Sequence, residues 1–271
     1  MNALVLGANG QLGTELVRLL GTDSAVPREA LSITDAVAVD ALIAARRPDV
    51  VFNCAAYNGV DRAESEPDLA FAVNAQGAFH VARSCRLQGA TLVHFSTNFV
   101  FDGTHEQPYV EADDPSPLSV YARSKLEGER RALEAGPHLL IVRTAAVFGG
   151  PQSFPQRILD KARSGEPVRV VSDQRVNPTF ARDLAAAAVE MAGHGMAGIV
   201  HAVAEGCAGW DEFARAVLTE SGIDEEVESI PTSAHPAVAR RPLNGCLAST
   251  RYRPLRPWRE AVREWAGTSR A

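Results

Sequence analysis

The amino-acid sequence predicts an α/β fold: a doubly wound parallel sheet followed by a smaller C-terminal lobe. Three observations carry that expectation. The chain opens on a short apolar run, Met1-Asn-Ala-Leu-Val-Leu6, that ends in Gly7-Ala-Asn-Gly10-Gln-Leu-Gly13. Strand-like and helix-like segments then alternate through the first half, the pattern of parallel strands joined by crossover helices. Within one of those helices Tyr121 and Lys125 stand four residues apart and so share a face.

Met1 to Leu6 reads as a buried strand bounded by glycine. Gln11 to Leu20 reads as a helix with Leu12, Leu16, Leu19 and Leu20 on one face. Strand, tight glycine turn and helix are the parts that present free N–H groups and a helix dipole to a pyrophosphate. The fold is therefore expected to be Rossmann-type, although the spacing is Gly-x-x-Gly-x-x-Gly rather than Gly-x-Gly-x-x-Gly. A weakly marked strand follows near Ala25-Val26, then a helix from about Asp35 to Ala45 with Thr34 as its cap. Asp49-Val-Val-Phe52 is the next strand and ends at Asn53. Leu69 to Gln88 reads as one long helix and Thr91-Leu-Val-His-Phe95 as a strand. Val120 to Ala135 reads as a helix capped by Ser119, and Leu139 to Val142 as a strand. Ligands on such sheets bind at the carboxyl ends of the strands. Here those ends carry Gly7, Asn53-Cys-Ala-Ala-Tyr57, Ser96-Thr-Asn98 and Arg143-Thr144, all small or polar.

Residues 1–150 are thus expected to form a dinucleotide-binding core. Residues 151–271, interrupted by seven prolines from Pro151 to Pro242, are expected to form mainly a substrate-binding lobe with chain returning to the core. Helical patterns remain at 181–191 and 210–220, and short strands fit Val168–Val171 and Gly198–His201.

A chain of 271 residues with 46% hydrophobic and 22% charged side chains has the composition of a soluble globular protein. Its net charge of −6 argues against nucleic acid as a partner. No apolar run approaches the ~18 residues of a membrane span, and the N-terminus lacks a basic segment with a signal-length apolar core. A cytoplasmic location without a membrane partner is expected. Cys54, Cys85, Cys207 and Cys246 have no metal-ligand spacing, so reduced, mostly buried thiols and no metal site are expected. His94, inside Leu92-Val-His-Phe95, reads as a packed strand residue.

The Tyr121–Lys125 pair is where chemistry is expected. A phenol normally titrates near ~10, and a neighbouring cation favours the phenolate and brings its proton within reach near neutrality. Arg28, just after the weak second strand, lies where a cation meets the 2′-phosphate of NADP, with no acidic residue expected at that strand's end to hold a free 2′-hydroxyl; a solvated arginine is the other reading. Arg240-Arg241-Pro242 is too short for a nucleic-acid patch; beside a cleft it suits a phosphate, and elsewhere a solvated loop.

Further motifs join these in order: Val60-Asp-Arg-Ala-Glu64, Val73-Asn74-Ala75, Ser96-Thr-Asn-Phe-Val-Phe-Asp-Gly103, Glu127-Gly-Glu129, Arg143-Thr144, Asp173-Gln174, Pro178-Thr-Phe180 and Asp183-Leu-Ala185. With Gly7 to Gly13, Tyr121-x-x-x-Lys125 and Arg241-Pro242, the set spans nearly the whole chain. It resembles the extended short-chain dehydrogenase/reductase superfamily and, within it, the dTDP-4-dehydrorhamnose reductase family.

The resemblance implies reduction of the C4 ketone of a nucleotide-linked 4-keto-6-deoxyhexose by NADPH or NADH, in a monomer or homodimer. It makes Tyr121 the proton donor, Lys125 the residue that holds the nicotinamide ribose and lowers the Tyr121 pKa, and Thr97 a hydrogen-bond donor to the same carbonyl oxygen. It assigns the cofactor to Gly7, Gly10, Gln11, Leu12, Ala55, Ala56, Tyr57, Asn74 and Phe95, with Ser32 and Ile33 near the adenine. The substrate falls to Thr97, Asn98, Phe99, Ala146 and Arg241.

Four departures stand out. Ser-Thr-Asp-Tyr of the family reads Ser96-Thr97-Asn98-Phe99; an acidic residue before the second helix is Ser32; Arg-Thr-x-Trp reads Arg143-Thr144-Ala145-Ala146; and Ala122 replaces a glycine. The catalytic trio is intact while the substrate wall is altered. Two other readings fit the same motifs. An epimerase or dehydratase of the superfamily needs further acid/base groups beside the threonine, where Asn98 replaces aspartate. A regulatory subunit that binds NADP without turnover, resembling that of methionine adenosyltransferase, would not need the trio.

Overall fold

The computed structural model describes residues 1–136 and 138–268. Its centre is a six-stranded parallel sheet of β1 (Ala3–Leu6), β2 (Ala25–Val26), β3 (Val50–Asn53), β4 (Thr91–Thr97), β5 (Leu139–Thr144) and a last strand at Gly198–His201. The order across the sheet is Gly198–His201, β5, β4, β3, β1, β2. The doubly wound α/β architecture is as the alternation predicted.

Successive strand residues point to opposite faces, and both faces are buried. Val5, Phe52, Val93, Leu140 and Val200 pack one face against α1 (Gln11–Leu20) and, from the second half, a helix at Ala181–Gly193. Leu4, Val51, Leu92 and Ile141 pack the other against α2 (Ala36–Arg46) and helices at Ala78–Gln88 and Val120–Ala135. Such two-sided burial explains the near-continuous apolar runs of the strands.

The cap of α2 is Asp35, not Thr34: its carboxylate accepts from the N–H groups of Val37 and Ala38 at 3.0 Å. Thr34 instead pairs its hydroxyl with Ser32. After a short turn, α3 (Val60–Ala63), the segment read as one helix from Leu69 is three: α4 (Pro67–Phe71), a π-helical turn at Ala72–Gly77, and α5 (Ala78–Gln88). The wide turn carries Asn74, whose side chain is occupied by the loop at Tyr57. The expected helix α6 (Val120–Ala135) begins at Ser119, whose hydroxyl accepts from Ala122 N–H.

The second half contributes α7 (Phe154–Arg163), α8 (Ala181–Gly193), α9 (Trp210–Ser221) and α10 (Trp258–Thr268). Neither α7 nor α10 is among the helices expected from the sequence; Pro155 lies in the first turn of α7. Phe148, Phe180, Phe213, Trp258 and Trp265 form a separate aromatic core. Cys207 and Cys246 are disulfide-bonded, with Cα atoms 6.0 Å apart, which corrects the expectation of four reduced thiols. Their separation of 39 residues gave no sign of the pairing.

Candidate active site

At the carboxyl edge of the sheet lies a cleft of about 690 Å³. Its floor is the turn between β1 and α1. Gly7 adopts φ +75°, and a Cβ there would fall 2.8 Å from the backbone of Ala55; one on Gly13 would fall 2.3 Å from Gly7 O. These close approaches require glycine. They leave the N-terminus of α1, which begins after Gly10 without a side-chain cap, open to the cleft. Gln11 accepts from Gly150 N–H at 3.1 Å and ties the turn to the second half.

Tyr121, Lys125 and Thr97 all line the cleft. Thr97 is the last residue of β4, its hydroxyl accepting from Phe99 N–H at 3.2 Å and donating to Asn98 Oδ1 at 3.3 Å. Tyr121 and Lys125 come from the first turns of α6. Phe99 stands edge-on to the Tyr121 ring, with centroids 5.9 Å apart. Burial pushes the Tyr121 phenol up to about 12, and the opposing influence is the Thr97 hydroxyl. The expected lowering of the Tyr121 pKa by Lys125 is thus not seen in the protein alone. The Lys125 ammonium is turned to Phe95 O, to which it donates at 2.7 Å. Lys125 is itself lowered to about 8 by burial, against the pull of Glu129 and Cys54.

Of the other residues singled out from the sequence, Gly10, Gln11, Leu12, Ala56, Phe95, Asn98 and Ala146 line the cleft. Gly7, Ala55, Tyr57 and Asn74 form the layer behind it. Asn74 accepts from Tyr57 N–H, donates to Tyr57 O and donates to Ser124, so it pins the Tyr57 loop to α6. The Tyr57 hydroxyl donates to Glu66. Arg28 and Ser32 are exposed beyond β2, while Ile33 is buried in the core. Arg28 has an acidic neighbour that the sequence reading passed over: Glu29 accepts from Asn9 at 3.4 Å, beside the glycine turn. Arg241 does not line the cleft. It donates to both oxygens of Asp61, at 3.0 and 2.7 Å, and this pairing holds Asp61 down to about 2.

The departures from the family pattern acquire structural meaning here. The Asn98 amide donates to Gly245 O at 2.9 Å, a bond that an aspartate cannot make. Ala146 has φ +42°, where a large side chain would be strained. Aromatic surface enters the cleft instead from Phe154 of α7 and Trp210 of α9, with ring centroids 4.7 Å apart. Ser153 and Arg157 at the start of α7 line it too. Ser153 and Arg157 escape the sequence because α7 does, although Ser153 followed by Pro155 is the helix-start signal that marks it; Trp210 lies on α9, a helix that the sequence does show. The side-chain oxygens of Thr144 and Ser153 are buried without a protein partner. Among the described residues no group of three or more metal-ligating side chains occurs, and no helix is long and apolar enough to cross a membrane.

Comparison with known proteins agrees along the whole chain. The family described as "RmlD substrate binding domain" matches residues 1–270. A dTDP-4-dehydrorhamnose reductase of Streptomyces griseus is 41% identical, covering 96% of this chain and 91% of that one. A Streptomyces antibioticus protein named "Probable dTDP-4,6-dihydroxy-2-methyloxan-3-one 4-ketoreductase" is 37% identical, covering 97% and 94%. The crystal structure of dTDP-4-dehydrorhamnose reductase from Bacillus anthracis in complex with NADP superposes with a TM-score of 0.94 over 97% of each chain, at 30% identity. The fold, the cleft at its carboxyl edge and these relatives place the chain: it belongs to the dTDP-4-dehydrorhamnose reductase family.

Proposed function

We propose that this chain reduces the C4 ketone of dTDP-4-dehydrorhamnose, or of a closely related deoxysugar, with NADPH. The observation that carries the reading is the convergence of Tyr121, Lys125 and Thr97 beside the open N-terminus of α1 in one cleft.

The residues present fit a dinucleotide. The glycine turn and the uncapped start of α1 suit a pyrophosphate, Phe95 and Ala56 line the adjoining wall, and exposed Arg28 suits a 2′-phosphate. When bound, NADPH supplies the hydride that reduces the carbonyl carbon. The Thr97 hydroxyl, swung from Asn98 Oδ1, donates its one hydrogen bond to the carbonyl oxygen and orients it. Tyr121 transfers its phenolic proton to that oxygen, completing the alcohol; its raised pKa keeps the proton in place until the oxygen becomes basic. Lys125, an ammonium one turn along the same helix, holds the cofactor ribose, and it reaches the phenolate left behind only by leaving Phe95 O. Ser153 and Arg157 suit the diphosphate of the sugar nucleotide, and Phe154 with Trp210 offers apolar surface to its base or sugar.

The test is NADPH consumption by the purified chain with dTDP-4-dehydrorhamnose, with the product identified by NMR. Stoichiometric formation of a C4 alcohol is expected. Tight NADPH binding without turnover of any 4-keto-6-deoxy nucleotide sugar would replace this reading with that of a binding subunit.

A further inference from the structure

A row of buried polar side chains crosses the ends of β3, β4 and β5 on the α6 side of the sheet. Asn53 pairs in register with His94, and Ser96 with Arg143. The Asn53 amide and His94 Nδ1 are 3.2 Å apart. Glu129 of α6 completes the row: Arg143 grips its two oxygens at 3.0 and 2.7 Å, and Ser96 donates to the first of them. Both charged side chains are 2% exposed.

Desolvating two ions is costly, and a well-packed apolar pair would serve stability as well or better. The position of the pair suggests another use. Glu129 lies one turn beyond Lys125 on the same helix, and i,i+4 side chains meet. Lys125 is 3% exposed, and its ammonium donates to the neutral carbonyl of Phe95. The titratable groups around it are Tyr121 and Glu129 on α6, Cys54 after β3 and His94 on β4. Burial keeps the first and third of these protonated and His94 neutral. Glu129 is the one held in an ion pair, by Arg143.

We propose that Glu129, clamped by Arg143 and Ser96, is the counter-ion that keeps Lys125 an ammonium beneath the cleft, and is thereby a positioning residue for ketone reduction. The clamp matters because it fixes the carboxylate: Arg143 and Ser96 occupy it, so it attracts Lys125 without drawing it out of the site. The inference rests on Lys125 acting in that reaction.

The sequence offers a direct test, because Lys125 and Lys161 are the only lysines. In a Lys161→Arg background with lysine labelled by ¹³C at Cε, a single signal reports the ionisation of Lys125. Glu129→Gln should move its titration midpoint down by about one pH unit, a tenfold change in the ratio of ammonium to amine, and shift the alkaline limb of kcat in parallel. Glu129→Gln with Arg143→Met removes both charges; it should restore the melting temperature and still titrate below the parent. If the single variant does not fold, the double variant decides. A midpoint unchanged from the parent in whichever variant folds would reduce the pair to a structural role. Should the parent reduce no keto-sugar, the functional reading fails while the NMR titration still decides the electrostatic one.

Discussion

The side-chain amide of Asn98 donates to the carbonyl oxygen of Gly245 at 2.9 Å, joining the end of β4 to the C-terminal segment that the Cys207–Cys246 disulfide also fastens. Its other atom, Oδ1, accepts from the Thr97 hydroxyl. One residue thus links the sheet, the lobe and the Thr97 hydroxyl. Asn98→Asp restores the family's usual residue but sets a carboxylate against a carbonyl oxygen. It should cost ~1–3 kcal/mol of stability, as expected for a buried polar group left unpaired, and should lower kcat through Thr97. Thermal unfolding and steady-state kinetics check this; a variant as stable and active as the parent would show the Gly245 bond to be dispensable.

Tyr121→Phe should lower kcat by about 10²–10⁴-fold, the usual worth of general acid catalysis, with NADPH affinity nearly unchanged because the ring and its contact with Phe99 remain. Near-normal turnover would remove Tyr121 from the chemistry.

Lys125 sets the alkaline limit. Its pKa in the fold is lowered to about 8, so it is an ammonium below that pH and loses its proton above. Tyr121 keeps its proton to about 12. The kcat/KM profile should therefore be flat through neutrality and fall as pH rises through about 8, with no rise from phenol ionisation. A profile flat to pH 10 would contradict the assignment.

Arg28 is exposed and the cofactor's 2′-phosphate is its expected partner. Removing one such exposed charge contact, typically ~1 kcal/mol or less, should weaken NADPH by roughly 5-fold in Arg28→Ala while leaving NADH unaltered. Equal use of both cofactors by the parent, unaffected by the substitution, would transfer the decision to Glu29 beside Asn9.

Ala146 lines the cleft and is expected to set the choice of sugar. With no large side chain there, the cleft should accept 2-deoxy or 2,3-dideoxy relatives of dTDP-4-dehydrorhamnose in competition with the parent sugar. Ala146→Trp should favour the fully hydroxylated sugar, and it should also lower the melting temperature because φ at this position is +42°. An unchanged preference would assign selectivity to Phe154 and Trp210.

The glycine turn, the parallel sheet and the Tyr121–Lys125–Thr97 trio were legible because each is written locally: a strand end, an i,i+4 spacing, a strand-to-loop hydroxyl. What was not legible depends on distant partners. Asn74 and Arg241 were read as ligand-facing, yet their groups are taken by Tyr57, Ser124 and Asp61, at least 17 residues away in sequence. The π-helical turn at Ala72–Gly77 follows from that use of Asn74 and leaves no periodicity of its own. Ser153 and Arg157 go unseen with α7, because a proline in the first turn of a helix looks in sequence like a break.

Hydride delivery to C4 of a nucleotide-linked keto-sugar is the reaction expected of this chain. Its most direct test is incubation of the wild-type chain with dTDP-4-dehydrorhamnose and NADPH deuterated at nicotinamide C4 on each face in turn. One of the two labels should appear at C4 of the product sugar, in proportion to NADPH consumed, and Tyr121→Phe should slow its appearance. Deuterium absent from C4 with both labels, or a sugar inverted at another carbon with no net NADPH consumed, would contradict the claim and point to an epimerase.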